Sequence, residues 1–245
     1  MSDITPAVRT DLAPAGALRV GINYGNFILA TRDAATGESR GVAIDLSREL
    51  AGRLGVRVEI VAYDSVAVMV EAAPTGAWDI AFLGSDPARE KLIDFTAAYL
   101  EIEATYLVPS GSALRTVADV DRPGVRVAAP SKANYELFLN RALRRAQLVS
   151  TQGGEAAFQL LKSGKVDALA GLKQALIGLA DKLPGSRMLD GRFMAVQQSI
   201  GVPKGRAAGL AYLRGLVEEA KASGLVARAI TATGARGVSV APPAS

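Results

Sequence analysis

Short apolar runs alternate with amphipathic helical segments along this chain, and this alternation limits the fold more than any other feature of the sequence. Residues ALRVGIN (Ala17–Asn23) are typical of a buried strand, and Val42–Leu54 carries a leucine at every fourth position on one helix face. VRVEIV (Val56–Val61) and DIAFL (Asp79–Leu83) predict two more strands. Strands and helices that alternate in this way form a parallel sheet covered by helices.

The alternation begins again in the second half of the chain, after a strand predicted at Glu101–Pro109. Residues 124–182 predict three strands, each followed by a helix. Ser131 is the predicted N-cap of the first of these helices, which extends to about Ala146. A long strand at Phe193–Val202 then leads into two C-terminal helices, which we expect to pack on the first half.

These elements predict an α/β fold of two Rossmann-like lobes. Because the chain has to cross between the lobes twice, near Thr105–Val108 and near Gln197–Gly201, the crossings form a two-segment hinge. A hinge between α/β lobes creates a cleft that opens and closes on a ligand. The predicted parts are a loose lead-in at 1–16, lobe 1 at 17–106 plus 199–245, and lobe 2 at 107–198.

Cysteine and histidine are both absent from the 245 residues. Their absence excludes disulfide frameworks, thiolate metal sites, cysteine nucleophiles and Ser-His-Asp catalysis, so a binding function is favoured over an enzymatic one. The carboxylates lack the spacing of a calcium loop, and no glycine-rich nucleotide loop opens a helix. We predict no metal and no cofactor.

The charge balance is mildly basic, with 28 Lys and Arg against 24 Asp and Glu. The tightest basic cluster, Arg141, Arg144 and Arg145, has helical spacing and is predicted to be a solvated helix face. Aromatic residues make up 5% and no nucleic-acid motif is present, so we predict no nucleic-acid partner. No apolar stretch approaches a membrane span, and we expect a monomer without membrane insertion. The N-terminus lacks the features of a signal peptide, which leaves a cytoplasmic location open beside an exported one.

Six segments carry a resemblance to a known family: GVAIDLSRELAGRLG (Gly41–Gly55), WDIAFLG (Trp78–Gly84), PAREKLIDFT (Pro87–Thr96), GVRVAAPSKANYELFL (Gly124–Leu139), SGKVDALAG (Ser163–Gly171) and IGVPKG (Ile200–Gly205). They resemble the family 3 extracellular solute-binding proteins over roughly residues 17–230. The resemblance implies the type II periplasmic-binding-protein fold, a periplasmic location and an ABC transporter permease as partner. Many members of that family bind polar amino acids.

The resemblance also implies site residues. Arg89 stands five residues before Asp94, where the family has the arginine that clamps the ligand α-carboxylate. A guanidinium binds a carboxylate through two parallel hydrogen bonds, which suits this role. The other positions that the resemblance assigns to ligand binding are Gly84, Ser85, Asn23, Asn26 or its neighbour Phe27, Tyr63, Ser131, Lys132, Ala133 and Leu172.

One departure from the family pattern bears on the ligand. Amino-acid binders carry an Asp five residues after the Asp of the motif that is VDA here, and in this chain the count from Asp167 ends on Leu172. Leucine cannot hold an ammonium group, and a buried ammonium without an anion costs several kcal/mol. We therefore expect a small carboxylate without a charged amine, either aromatic or a dicarboxylate that uses Lys132.

Two other functions stay open from the sequence. A cytoplasmic ligand sensor would fit the missing signal peptide. Some relatives of this fold are cyclohexadienyl dehydratases, and the acids or bases for such chemistry would be Asp86, Glu101, Glu103 or Lys173. We expect Asp86 to cap a helix before Pro87, and Glu101 and Glu103 to form a solvated strand edge.

Overall fold

The structure is a computed structural model that describes residues 3–244 and divides the chain into two compact units. Unit 1 comprises the described residues up to Glu101 together with those from Gln197 onward, and unit 2 is Ile102–Val196. Residues 1, 2 and 245, at the ends of the predicted lead-in and of predicted lobe 1, lie outside the described residues. Both C-terminal helices belong to unit 1, as their lack of a sheet of their own predicted.

The first half of the chain contains, in order, α1 (Pro6–Leu12), β1 (Ala17–Asn23), β2 (Thr31–Arg32), β3 (Ser39–Arg40), α2 (Val42–Leu54), β4 (Arg57–Tyr63), α3 (Val66–Glu71), β5 (Ile80–Gly84) and β6 (Ile93–Val108). The second half contains β7 (Arg126–Pro130), α4 (Asn134–Ala142), β8 (Gln147–Thr151), α5 (Gly154–Lys162), β9 (Ala168–Leu172), α6 (Lys173–Ala180), β10 (Arg187–Met188), β11 (Met194–Pro203), α7 (Ala207–Ala222), α8 (Leu225–Thr233) and β12 (Val238–Val240).

The sheet of unit 1 is built around β1, which pairs in parallel with β4 on one side and with β5 on the other. β11 runs antiparallel to β5. Helix α2 supplies an apolar face to this unit, and Gly55 ends that helix in the left-handed conformation that glycine adopts without strain. Because β4, β1 and β5 are parallel, their carboxyl ends at Tyr63, Asn23 and Gly84 lie along one edge of the sheet.

The N-terminal segment is helical, whereas we expected a loose lead-in. Thr5 caps α1 with its side chain, and α1 contacts α7. The Asp11 carboxylate accepts a hydrogen bond of 2.8 Å from the Gly209 N–H and so satisfies one free donor in the first turn of α7. The partner that orders α1 is α7, a long helix far along the chain. The sequence of α1 alone does not indicate this contact.

The sheet of unit 2 is centred on β7, which pairs in parallel with β8 and β9. β6 runs antiparallel to β9. Alternate residues of β7 enter two apolar clusters, Val127 and Ala129 in one and Ala128 in the other, so the strand is buried on both faces. The carboxyl ends of the parallel strands, at Pro130, Thr151 and Leu172, share one edge of this sheet.

Three predicted element bounds are wrong. Ala133, not Ser131, is the N-cap residue of α4, and no side chain caps this helix. α4 ends at Ala142 rather than near Ala146, because the Asp121 carboxylate accepts the backbone N–H groups of residues 144–146. β6 is longer than predicted and begins at Ile93, since its residues are buried on both faces and show no simple alternation.

The same ion pair is built into both units, at the amino ends of their parallel strands. In unit 1 the Asp79 carboxylate accepts hydrogen bonds from the N–H and the guanidinium of Arg19, at 2.7–3.0 Å. In unit 2 the Asp167 carboxylate binds the N–H and the guanidinium of Arg126, at 2.8–3.1 Å. Each arginine also donates to the carbonyl of the glycine three residues before the aspartate. This repetition supports the view that residues 124–182 repeat the architecture of the first half.

The pair in unit 1 has an additional partner. Arg206, at the start of α7, donates to Asp79 Oδ1 at 3.0 Å and also to the Asp11 carbonyl. The Asp79 side chain is fully buried, whereas the Asp167 side chain is 38% exposed. Asp79 therefore ties β1, α1 and α7 together in the interior of unit 1.

Within residues 3–244, none of the helices combines the length and the apolar character that a bilayer span requires.

Candidate ligand-binding site

The predicted ligand residues of unit 1 gather at the carboxyl edge of its parallel strands. Asn23 and Tyr63 are the last residues of β1 and β4 and stand side by side in the strand pairing. Gly84 ends β5, the other neighbour of β1. In open α/β sheets, ligands bind outside this edge, where the loops that follow the strands supply polar groups. Burial raises the pKa of the Tyr63 hydroxyl, so Tyr63 stays a neutral hydrogen-bonding group at ordinary pH.

Arg89 lies in the turn that follows β5 and is only 5% exposed. Its Nη1 donates to the Gly84 carbonyl at 2.6 Å, which fixes the guanidinium against the end of the strand. Burial lowers the pKa of Arg89 to about 10, and the nearby Asp86 acts in the opposite direction. A cation this poorly solvated gains strongly from a further anion, because its hydration has already been lost.

Asp86 is also buried, at 5% exposure, but it does not begin a helix as we expected. Its carboxylate accepts the Ala88 N–H at 2.9 Å, and its carbonyl accepts the Arg89 N–H at 2.9 Å. These bonds form a tight turn that leads directly into β6. Asp86 thus shapes the turn and places a negative charge close enough to Arg89 to act on its pKa.

Ser85 is held beside β11 by its backbone. Its N–H donates to the Gln197 carbonyl at 2.9 Å. This bond continues the β5–β11 pairing by one residue and fixes the start of the turn that carries Arg89.

The loop after β1 contains the two asparagines that we predicted. The Asn23 side chain accepts the Gly25 N–H at 2.9 Å, and the Asn23 carbonyl accepts the Asn26 N–H. The Oδ1 atom of Asn26 is buried, and among the described residues it has no hydrogen-bond partner. Phe27 is 42% exposed and lines a cavity of about 580 Å³ beside β2, β3, α2 and α8.

In unit 2, the predicted residues lie at the carboxyl edge of its own parallel strands. The Ser131 N–H donates to the Thr151 carbonyl at 2.9 Å, and Ala133 is the N-cap of α4. Leu172 is the last residue of β9, immediately before α6. The structure thus places Leu172 at a strand end, on the edge outside which ligands bind in open α/β sheets.

Lys132 adopts the left-handed conformation, with a φ of 62°, and is the one such residue other than glycine among those described. Its backbone N–H donates at 3.1 Å to Glu136, a buried side chain. Glu136 also accepts hydrogen bonds from Asn140 and Ser150, each at 2.7 Å. Sequence reasoning missed Glu136 as the residue that fixes this loop, although its position in the first turn of α4 could have indicated it.

The acids considered for catalysis are engaged in other contacts. Glu101 accepts a hydrogen bond of 2.6 Å from Gln197, and Glu103 forms an ion pair of 2.7 Å with Lys173. Both glutamates are half-buried, so the expected solvated edge is wrong. Each of the two glutamates therefore contacts a different side chain.

Two α/β units, joined by two chain crossings and carrying polar groups at the carboxyl edges of their parallel strands, define the type II periplasmic-binding-protein fold. The chain belongs to the bacterial extracellular solute-binding proteins, family 3, whose family model matches residues 18–232. This match confirms the resemblance drawn from the sequence motifs. Helix α1 and strand β12 lie outside the matched residues.

The chain is similar to three proteins that bind amino acids. The glutamine-binding protein of Geobacillus stearothermophilus is 26% identical over 195 residues, which cover 77% of this chain and 73% of that protein. The amino acid ABC transporter substrate-binding protein AbpA of Streptococcus pneumoniae, bound to L-arginine, has a TM-score of 0.73 at 22% identity, covering 91% and 96% of the two chains. An ancestral amino acid-binding protein, a precursor of cyclohexadienyl dehydratase, also has a TM-score of 0.73, at 24% identity and the same coverage.

Proposed function

We propose that this protein is the solute-binding component of an ABC transporter and that its ligand is a small carboxylate without a charged amine. Arg89 binds the ligand carboxylate in this proposal, with Gly84, Ser85, Asn23 and Tyr63 around it. The observation that carries the proposal is the burial of Arg89 at the carboxyl edge of unit 1, with its guanidinium oriented by the Gly84 carbonyl.

The absence of a charged amine is inferred from unit 2. Leu172 occupies the end of β9, and its side chain offers no oxygen to an ammonium group. Two of the relatives named above bind glutamine or arginine, which both carry an α-ammonium. Leu172 is therefore the point at which we expect this chain to depart from those relatives.

The second lobe contributes the start of α4 in this proposal. Ser131, Lys132 and Ala133 precede α4, whose N-terminus favours a bound anion through the helix dipole. Their own N–H groups donate to Thr151, Glu136 and Pro130, so they position this helix start and are not themselves free donors. Lys132 offers its ammonium to a second ligand carboxylate. Hinge closure favours the ligand-bound state because each lobe supplies part of the binding energy.

A thermal-shift screen tests the ligand class. The probes are matched pairs that differ only in the α-substituent: L-glutamate against L-2-hydroxyglutarate, and L-phenylalanine against L-phenyllactate. A ligand at 100 times its Kd stabilises the folded state by about 2.7 kcal/mol, which corresponds to roughly 5–10 °C at this chain length. We expect the hydroxy acid of at least one pair to shift the Tm and its amino acid to shift it less. Shifts by the amino acids alone would contradict the proposal.

Leu172→Asp tests the assigned role of this position. We expect the new carboxylate to raise the affinity for the amino acid of a matched pair by at least tenfold relative to the hydroxy acid, because a charge-assisted hydrogen bond to an ammonium becomes available. Leu172→Asn is the control, since asparagine has the shape of aspartate without its negative charge. Calorimetric titration of both variants gives the comparison. An unchanged preference in Leu172→Asp would remove residue 172 from the site.

The pH dependence of binding follows from the lowered pKa of Arg89, which is about 10. Carboxylate binding requires the protonated guanidinium, so we expect the affinity to fall as the pH rises through 10. Burial disfavours protonated Arg89 in the folded state, so above about pH 10 the folded chain loses this proton while the unfolded chain keeps it. The free energy of unfolding therefore increases as the pH rises from about 10 toward the ordinary pKa of arginine. Titrations at pH 8 to 11 with parallel unfolding curves separate the two effects. A constant affinity over this range would show that the guanidinium stays protonated and would contradict the lowered pKa of Arg89.

A further inference from the structure

The amino edge of the unit 2 sheet carries a second group of charged residues, on the opposite edge from Ser131 and Leu172. The loop at 115–125 precedes β7, and the loop at 143–146 precedes β8. The two strands are parallel, so these loops meet at the same edge. We define the amino-edge basic face by the arginines of these loops and of the last turn of α4: Arg115, Arg122, Arg141, Arg144 and Arg145.

Backbone contacts fix this face in place. The Asp121 carboxylate accepts the N–H groups of Arg144, Arg145 and Ala146 at 3.0, 2.8 and 2.9 Å. These bonds end α4 and hold residues 144–146 in a loop, so Arg144 and Arg145 are not on a helix face, contrary to the sequence prediction. The Asp121 carboxylate thus binds backbone N–H groups, and the side chains of Arg144 and Arg145 stay on the surface.

Asp119 plays the same part in the neighbouring loop. Its Oδ2 accepts the N–H groups of Arg115 and Thr116 at 2.9 and 2.8 Å, and its Oδ1 pairs with Arg122. These hydrogen bonds lower the pKa of both aspartates, to about 2 for Asp119, so the loop structure persists well into the acidic range.

The side chains of Arg144 and Arg145 are exposed and, among the residues described, form no hydrogen bond or ion pair. Unit 2 as a whole contains 13 Lys and Arg against 8 Asp and Glu, a net charge of +5. Unit 1 contains 15 against 16, a net charge of −1. The positive charge of the protein is therefore concentrated in unit 2, where the proposed ligand site uses only Lys132.

The chemistry of the face favours phosphate groups over a protein surface. Stable protein interfaces combine arginine with aromatic or other apolar anchors, and among the described residues the large exposed apolar side chains, Phe27, Val68 and Leu92, all lie in unit 1. Arginine guanidinium groups bind phosphate oxygens through two parallel hydrogen bonds and need no apolar contact. A surface that presents several phosphate groups side by side can therefore bind several arginines of the amino-edge basic face at once.

We propose that the amino-edge basic face binds the phosphate headgroups of an anionic lipid bilayer and holds the protein reversibly at a membrane surface. The interaction is electrostatic and peripheral, and no part of the chain inserts. It does not depend on the identity of the solute, because the face and the proposed ligand site lie at opposite edges of the unit 2 sheet.

Vesicle co-sedimentation of the full chain tests this proposal. We expect binding to vesicles of phosphatidylcholine with phosphatidylglycerol, weaker binding as the salt rises to about 0.15 M, and no binding to phosphatidylcholine alone. Each arginine near an anionic surface strengthens binding about fivefold, so Arg144→Gln with Arg145→Gln should weaken it about 25-fold. Circular dichroism confirms that the variants are folded.

The matched control is Arg32→Gln with Arg214→Gln, which removes the same charge from exposed positions of unit 1. We expect this variant to bind nearly as well as the wild type. If both double variants weaken vesicle binding equally, the binding depends only on the overall charge of the protein, and the proposal is overturned. Binding to poly-L-glutamate in the absence of vesicle binding would also overturn it, in favour of an acidic protein partner.

Discussion

Replacing Arg89 with alanine is expected to weaken ligand binding by about 2–5 kcal/mol, a loss of roughly 30-fold to several thousand-fold in affinity. The arginine is 5% exposed and fixed to the Gly84 carbonyl at 2.6 Å, so in the proposed role it would bind an anion with little loss of side-chain freedom. Truncation would leave the ligand carboxylate desolvated and without its main partner. Calorimetric titration with the acid identified by the thermal-shift screen measures this loss.

Arg89→Lys separates charge from geometry. Lysine retains a positive charge but lacks the planar pair of donors, so we expect an affinity between those of the wild type and Arg89→Ala. Thermal unfolding without ligand controls for damage to the turn, because Arg89 also supports the end of β5. If both variants bind as tightly as the wild type while folding normally, Arg89 lies outside the ligand site.

Asp79→Asn is expected to have the largest effect on stability. The Asp79 carboxylate is fully buried and accepts hydrogen bonds from two arginines, Arg19 and Arg206. Removing one partner from a buried ion pair leaves uncompensated charge and costs about 3–5 kcal/mol. At this chain length the Tm should fall by roughly 6–20 °C.

Asp167→Asn is the matched variant in unit 2. Asp167 makes the same contacts to Arg126, but its side chain is 38% exposed and it has a single arginine partner. Exposed ion pairs contribute about 0–1 kcal/mol, so we expect a much smaller loss. Denaturant unfolding of both variants provides the comparison. Equal losses would show that the burial of Asp79 and its contact with Arg206 add no stability.

The regular elements were predictable because their signals are local. The bounds predicted for β1 and α2 match those of the structure, since β1 has a continuous apolar run and α2 has leucines in phase and a glycine at its end. Helix α1 was missed because its order depends on contacts with α7, about 200 residues away in sequence. The end of α4 was missed for the same reason, because Asp121 determines it from another loop.

The candidate site was predictable in part. The position of Arg89 before Asp94 made it a candidate through the resemblance to the family motif, and its burial and its bond to Gly84 follow from the turn after β5. The left-handed conformation of Lys132 has no counterpart in the spacing or the composition of the sequence. The place of Glu136 in the first turn of α4 is a local signal, whereas its burial depends on tertiary contacts such as the hydrogen bond from Ser150.

The difference in binding free energy between a hydroxy acid and its matched amino acid tests the central claim most directly. Calorimetric titration of the wild-type protein with L-phenyllactate and L-phenylalanine, and with L-2-hydroxyglutarate and L-glutamate, measures this difference. We predict that in the pair that binds, the hydroxy acid binds more tightly, because Arg89 holds the carboxylate and Leu172 offers nothing to an ammonium. Tighter binding of the amino acid would contradict this account.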